Sequence, residues 1–225
     1  MNRPSSEPTC GPTPEVPGGV TSLEVRWIFP GRPAAAVAGW FGRFPAETES
    51  REDIYLLDPA LRGLSVKLRG GRALEVKVHR GSAGILEVAG RARGRVECWQ
   101  KWSFPVSPLS QDSGVPAGWI PVRKSRRISR FSLAGGRIVA GNPGPGHQAR
   151  CDVELTEVRV GGQDWWSLGF EATGPADLLR GALEDTAAFV FARPMLSRAE
   201  PSPDESRSYA EWLSQRLDAG RDIRP

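Results

Sequence analysis

Residues 64–79 read Leu-Ser-Val-Lys-Leu-Arg-Gly-Gly-Arg-Ala-Leu-Glu-Val-Lys-Val-His. Apolar residues take every second position on both sides of Gly70-Gly71: Leu64, Val66 and Leu68 before it, Leu74, Val76 and Val78 after it. A period of two predicts strands, and a Gly-Gly step between two such runs predicts a hairpin. The intervening positions carry Ser65, Lys67 and Arg69, then Glu75, Lys77 and His79. One face of this hairpin is therefore apolar and the other charged.

The same alternation extends in both directions. Upstream, Leu23, Val25, Trp27 and Phe29 share one face, and Ser22, Glu24 and Arg26 the other. A short helix is expected over Ala34–Phe44 behind Pro33, then a strand over Asp53–Leu57. Downstream, strands are expected over Ile85–Val88 and Arg95–Phe104, one or two over Trp119–Phe131, and a hairpin of Cys151–Val160 with Trp165–Ala172 across Gly161-Gly162. Leu179, Leu183, Ala187 and Val190 mark an amphipathic helix over Ala176–Phe191. A second helix is expected over Glu205–Ala219, docking through Tyr209 and Trp212. Residues 105–117 and 141–147 read as loops. Seven to ten strands with short turns and few helices make a mainly β (α+β) chain: an antiparallel meander, sandwich or barrel.

The 225 residues fit one or two domains. Residues 1–19, polar and rich in Pro and Gly, are expected to be a disordered lead-in with no signal-peptide h-region. Residues 20–192 form the main domain, and 193–225 a linker and C-terminal helix. No run approaches the roughly 18–20 apolar residues of a membrane span, so a cytoplasmic protein without membrane contact is expected. Cys10, Cys98 and Cys151 give no legible disulfide framework. With His79 and His147 the only histidines, the chain lacks the ligand spacing of a His/Cys zinc site.

The net charge of +4 conceals an asymmetry. Residues 61–131 hold 15 basic and 4 acidic side chains, whereas 1–60 hold 5 and 8, and 151–225 hold 8 and 14. Concentrated positive charge attracts anions. The chain has only four lysines, Lys67, Lys77, Lys101 and Lys124, and all four fall on expected strands of this basic stretch. An ammonium is a compact partner for a phosphate oxygen. If the sheet closes with this face inward, it forms a cationic lumen with a few carboxylates, suited to a polyanion and a divalent cation. An open sheet with a solvated charged face is the alternative. The run Arg123-Lys124-Ser125-Arg126-Arg127 alternates with Ile120, Val122 and Ile128 as a strand does, so a nucleic-acid patch is not expected. Trp99 shares the polar face with Glu97 and Lys101, where it could stack on a nucleobase or other organic group.

These motifs, taken in order, resemble those of the CYTH family, the triphosphate tunnel metalloenzymes. The family's opening Glu-x-Glu-x-Lys strand is similar to Ser22-Leu23-Glu24-Val25-Arg26, and its basic strands to Leu64–Lys67 and Leu74–Lys77. Its later motifs are similar to Val96-Glu97, Lys124-Ser125-Arg126, Asp152-Val153-Glu154 and Gly169-Phe170-Glu171. The resemblance covers about residues 20–192. It implies an eight-stranded antiparallel β-barrel, a tunnel with a few flanking helices, acting as a metal-dependent phosphohydrolase on a triphosphate or organic phosphate. Arg26, Lys67, Arg69, Lys77, Lys124 and Arg126 would bind phosphate. Glu24 and Lys77 would be catalytic, and Glu24, Glu171, Glu97 and Glu154 would be the candidate ligands for Mg²⁺ or Mn²⁺. The implied partner is a small phosphorylated ligand; the oligomeric state is left open. Ser22 and Gly169 stand where the family has carboxylates, which leaves two alternatives: a non-catalytic binding protein for polyphosphate or nucleotide, and a structural or partner-binding barrel.

Overall fold

A computed structural model gives the fold and describes residues 18–58, 60–61, 63–107, 115, 117–134, 137–141, 149–195 and 201–218. The expected lead-in up to residue 17, His147, most of both expected loops and the start of the 197–204 linker lie outside the described residues. The elements run β1 (Val20–Pro30), α1 (Ala35–Phe41), β2 (Glu47–Leu56), β3 (Leu64–Arg69), β4 (Ala73–Val88) and β5 (Ala92–Pro105). They continue with β6 (Trp119–Ala134), β7 (Arg137–Ala140), β8 (Ala149–Val160), β9 (Gln163–Thr173), α2 (Ala176–Phe191) and α3 (Tyr209–Asp218).

The strands pair in the order β2-β3-β4-β5-β1-β9-β8-β6, and β6 pairs back onto β2 from Glu47↔Ile128 to Leu56↔Trp119. This closes an eight-stranded antiparallel barrel in which every strand pairs on both sides, with β1 and β5 joined over only part of their length. β7 only extends the end of β6. The Gly70-Gly71 hairpin joins β3 to β4, with both glycines at positive φ (53° and 67°), the conformation its tight turn demands.

β7 is a strand absent from the sequence reading, α1 is shorter than the expected Ala34–Phe44, and three other elements differ from it. Leu74–His79 and Ile85–Val88 are one strand, β4, whose register against β5 shifts between His79 and Gly81 and between Ser82 and Ile85. Such irregularities break the alternation without ending the strand. The Arg180 guanidinium ties down that stretch by donating to the carbonyls of Ala83 and Ile85. β2 starts at Glu47 rather than Asp53, and the last helix starts at Tyr209 rather than Glu205.

The main hydrophobic core lies outside the barrel. Val25, Trp27, Val153, Leu155, Leu168 and Phe170 project from the outer faces of β1, β8 and β9 onto Leu179, Leu183, Ala187 and Phe191 of α2. Trp27 is fully buried, edge-on to Phe170 and Phe191, and its Nε1 donates to the Arg93 carbonyl at 2.9 Å. With that stripe buried on the outside, the alternate residues must face the lumen.

The chain beyond residue 200 returns to the barrel. β1 and β5 pair only up to Glu24↔Glu97, and the next segment occupies the seam beyond. There Ile28 N donates to Glu205 O, Arg207 N to Arg26 O, and Arg95 N to Ser206 Oγ. α3 then crosses the barrel end, packing Trp212 and Leu213 onto Ile28, Tyr55, Ile120, Val122 and Val158.

Candidate anion-binding tunnel

The lumen holds a cavity of about 110 Å³. All the residues expected to bind phosphate line it: Arg26 from β1, Lys67 and Arg69 from β3, Lys77 from β4, Lys124 and Arg126 from β6. So do all four expected metal ligands, Glu24, Glu97, Glu154 and Glu171. Arg51 and Lys101 complete a set of eight cationic side chains around one cavity. Closure of the barrel brings them together, with the phase of most strands fixed by an apolar outer face.

Carboxylates gather on one wall. The cross-strand register places Glu97 of β5 beside Glu24 of β1, Glu24 beside Glu171 of β9, and Glu171 beside Asp152 of β8. Lys77 reaches this row from β4, its Nζ donating to Glu24 Oε1 at 2.6 Å and to Glu171 Oε1 at 3.4 Å. Lys101 Nζ lies 3.6 Å from the same Glu171 oxygen, and Ser22 Oγ donates to Glu24 Oε1 at 2.7 Å. Burial opposes ionisation of Glu171, but Lys77 and Lys101 outweigh it and hold the carboxyl well below its usual range. Burial likewise opposes charge on Lys77, and Glu171 and Glu24 overcome it to raise the ammonium's pKa.

Glu97 behaves differently. Burial pushes its carboxyl up to about 6; the hydrogen bond from Trp99 Nε1 to its Oε2, at 3.2 Å, only partly offsets that, and Glu211 and Glu24 add to the rise.

Next to the acid row, Gly169 is the cross-strand neighbour of Arg26. A Cβ on Gly169 would lie 2.7 Å from the Arg26 guanidinium. The missing side chain is thus the space Arg26 occupies. Arg26 donates to Glu154 Oε2 at 3.3 Å and to Ser167 Oγ at 3.2 Å. Arg126 holds the other Glu154 oxygen and donates to Glu49 Oε2 at 2.7 Å. Although burial opposes it, Glu154 is held well below the usual carboxylate range by Arg126 and Arg26.

On the opposite wall Asp53 sits among three cations. Arg51 Nε is 2.9 Å away, and Lys67 and Lys124 are each 3.4 Å away. Burial alone would raise its pKa, but Lys67, Lys124 and Arg51 depress it. Lys67 and Arg69 also grip Glu75, each at 3.0 Å, bringing its carboxyl down to about 2 against the opposing effect of burial. Lys124 donates to Tyr55 Oη at 2.6 Å and lies 3.9 Å from the ring centre of Tyr209 on α3. Burial first, and then Lys67, lower its pKa well below the ordinary value, so this ammonium gains by meeting an anion. The sequence reading did not single out Glu49, Arg51, Asp53 and Tyr55; a polar Glu-Thr-Glu-Ser-Arg-Glu run ahead of Asp53 was the available signal.

The donor set can be tested against a divalent cation. Among the described residues no three His, Cys, Asp or Glu side chains gather as a metal-holding group. Glu24 and Glu171 nevertheless face each other from neighbouring strands and already share one ammonium. Magnesium is commonly held by one or two carboxylates plus phosphate oxygens, an arrangement this pair fits when a phosphate chain is present. Glu154, committed to two arginines, is poorly placed to join it.

No family model and no curated protein matches the chain. Solved structures do. The chain is similar to a candidate adenylyl cyclase from Hippeastrum with a dominant triphosphatase activity, at 12% identity over 80% of this chain and 92% of that one, TM-score 0.38. It is also similar to the S. pombe RNA triphosphatase, at 10% identity over 92% of this chain and 86% of that one, TM-score 0.38. The latter protein in complex with the Spt5 CTD matches at 10% identity over 94% and 88%, with the same TM-score. No helix among the described residues is long and apolar enough to cross a membrane.

Proposed function

We propose that the tunnel binds the phosphate chain of a small triphosphate or organic phosphate and hydrolyses a phosphoanhydride bond with Mg²⁺ or Mn²⁺. The observation that carries this reading is the convergence of eight basic side chains on one lumenal cavity with a carboxylate row along one wall. Phosphoryl transfer needs positioning and charge neutralisation more than covalent chemistry. Arg26, Lys67, Arg69, Lys77, Lys124 and Arg126 take the phosphate oxygens, exchanging carboxylate partners for phosphate ones. Glu24 and Glu171 would hold the divalent cation, which when bound would offset charge developing on the transferred phosphoryl oxygens. Glu97, with its carboxyl at about 6, is ionised at neutral pH and can take a proton from water at the oxygen Trp99 leaves free.

Phosphate release from inorganic triphosphate and ATP, with and without Mg²⁺ or Mn²⁺, tests this reading. Metal-dependent turnover that disappears in Glu24→Gln and Lys77→Ala is expected. The commitment of Glu154 to two arginines, and the lack of side-chain carboxylates at Ser22 and Gly169, favour a second reading: a binding protein without turnover. Tight, metal-independent triphosphate binding with no phosphate release would select it.

A further inference from the structure

The tunnel makes no use of the chain's sulfur chemistry. The three cysteines are Cys10, Cys98 and Cys151. Cys151 is free and buried, whereas Cys98 is disulfide-bonded. The sheet rules out a bond between these two. Cys98 of β5 pairs with Leu23 of β1, Leu23 with Ala172 of β9, and Ala172 with Cys151 of β8. Three inter-strand spacings put the two cysteines about 14 Å apart, whereas a disulfide needs Cα atoms within roughly 4–7 Å. Cys10 is the remaining partner.

The start of β1 lies on the same side of β5 as Cys98. Cys98, Gln100 and Trp102 point outward from that strand, in alternation with Glu97, Trp99 and Lys101, which line the tunnel. Val20 pairs with Lys101, and a Cβ on Gly19 would lie 2.9 Å from the Trp102 indole, so the chain entering β1 runs over that ring. Trp102 Nε1 is buried without a hydrogen-bond partner among the described residues, a donor left for a backbone carbonyl on this outer face. The reach is ample. Nine residue steps from Cys10 to Gly19 span up to about 30 Å, and the four strand residues from Trp102 back to Cys98 cover only about 13 Å.

We infer that a redox-controlled Cys10–Cys98 disulfide clasps the N-terminal segment to the outer wall of the tunnel. The bond forms by exchange with a small-molecule disulfide such as oxidised glutathione. One protein thiolate attacks a glutathione sulfur and expels one glutathione; the second then displaces the other glutathione from the mixed disulfide. Two protein thiols are oxidised, and their two protons end on the two glutathione thiols formed. Reduced glutathione runs the exchange backwards. Because the bond closes a loop of about 90 residues, it restricts the unfolded chain and stabilises the fold. It lies on the face of β5 opposite Glu97 and Trp99, so it holds the wall without entering the cavity.

The test equilibrates the full chain with oxidised or reduced glutathione, quenches it in acid, then denatures and alkylates it for mass measurement. The oxidised chain is expected to take one alkyl group, at Cys151, and the reduced chain three. Digestion of the oxidised chain should yield a cross-linked pair of peptides holding Cys10 and Cys98. Reduction should lower the thermal midpoint by about 5 °C or more. Cys10→Ser should match the reduced wild type and ignore the glutathione state, whereas Cys151→Ala keeps the redox shift whatever its own stability. Three alkyl groups on the oxidised chain, or a cross-link through Cys151 or between two chains, would overturn the inference. So would a midpoint that stays constant while the cross-link breaks, or one that still follows the glutathione state in Cys10→Ser. None of these readouts depends on the triphosphate reading of the tunnel.

Discussion

The two faces of β1 and β9 make opposite use of the same backbone. Val25, Trp27, Leu168 and Phe170 face α2 in a dry, aromatic-rich core; Glu24, Arg26 and Glu171, one residue away in each case, face the tunnel. The outer face stabilises the fold through removal of apolar surface from water. The inner face carries paired charges, whose mutual attraction outweighs burial at Glu171, Glu154 and Lys77 but not at Glu97 or Lys124. The barrel is thus held from outside by α2 and keeps inside it a set of charges that a phosphate chain can re-pair.

The largest expected effect lies on the outer face. Trp27→Ala is expected to cost about 3–5 kcal/mol, read as a fall of roughly 10 °C in thermal midpoint for a chain of this size. Added triphosphate should not recover this loss selectively, because the residue faces α2. On the inner side, Asp53→Ala removes the carboxylate that Lys67, Lys124 and Arg51 share and should cost about 3 kcal/mol. Here triphosphate should recover much of the loss, a difference that a thermal-shift series with and without the anion resolves.

The pH dependence has two limbs of opposite sign. Glu97 is raised from 4.5 to about 6, so its contribution is complete below about pH 4.5 and is lost as pH rises through about 6. That limb amounts to about 2 kcal/mol, and Glu97→Gln should flatten it in denaturant titrations across this window. Asp53, Glu75, Glu154 and Glu171 are depressed, so their contribution is present above their ordinary range and is lost as pH falls below about 4. The smallest expected change is Gly169→Ala, whose Cβ must displace the Arg26 guanidinium. About 1–2 kcal/mol of stability is at stake, together with a measurable loss of triphosphate affinity.

Most of the barrel is legible in the sequence wherever one strand face is apolar. Alternation in β1, β3, β8 and β9 reveals their phase, and the phase assigns Glu24, Arg26, Lys67 and Glu171 to the lumen. It fails in the first half of β2, where Thr48, Ser50 and Glu52 on the outer face are exposed and as polar as Glu49 and Arg51 on the inner one. With no apolar face there is no period to read, and the cations' main partner, Asp53, passes for the start of a strand. β4 hides its continuity in the irregular pairing around Gly81. Tyr209 is recognisable as a docking residue, yet its place beneath Lys124 depends on the tail entering the β1–β5 seam, a contact between residues far apart in the chain. The commitment of Glu154 to Arg26 and Arg126 is similarly a product of closure.

The most direct test of the tunnel is a titration of inorganic triphosphate into the wild-type chain and Lys77→Ala, at two salt concentrations and with and without Mg²⁺. One-site binding that weakens with salt and drops at least tenfold in Lys77→Ala is the predicted result. Absence of binding under all these conditions, with no rise in thermal midpoint, would contradict the account.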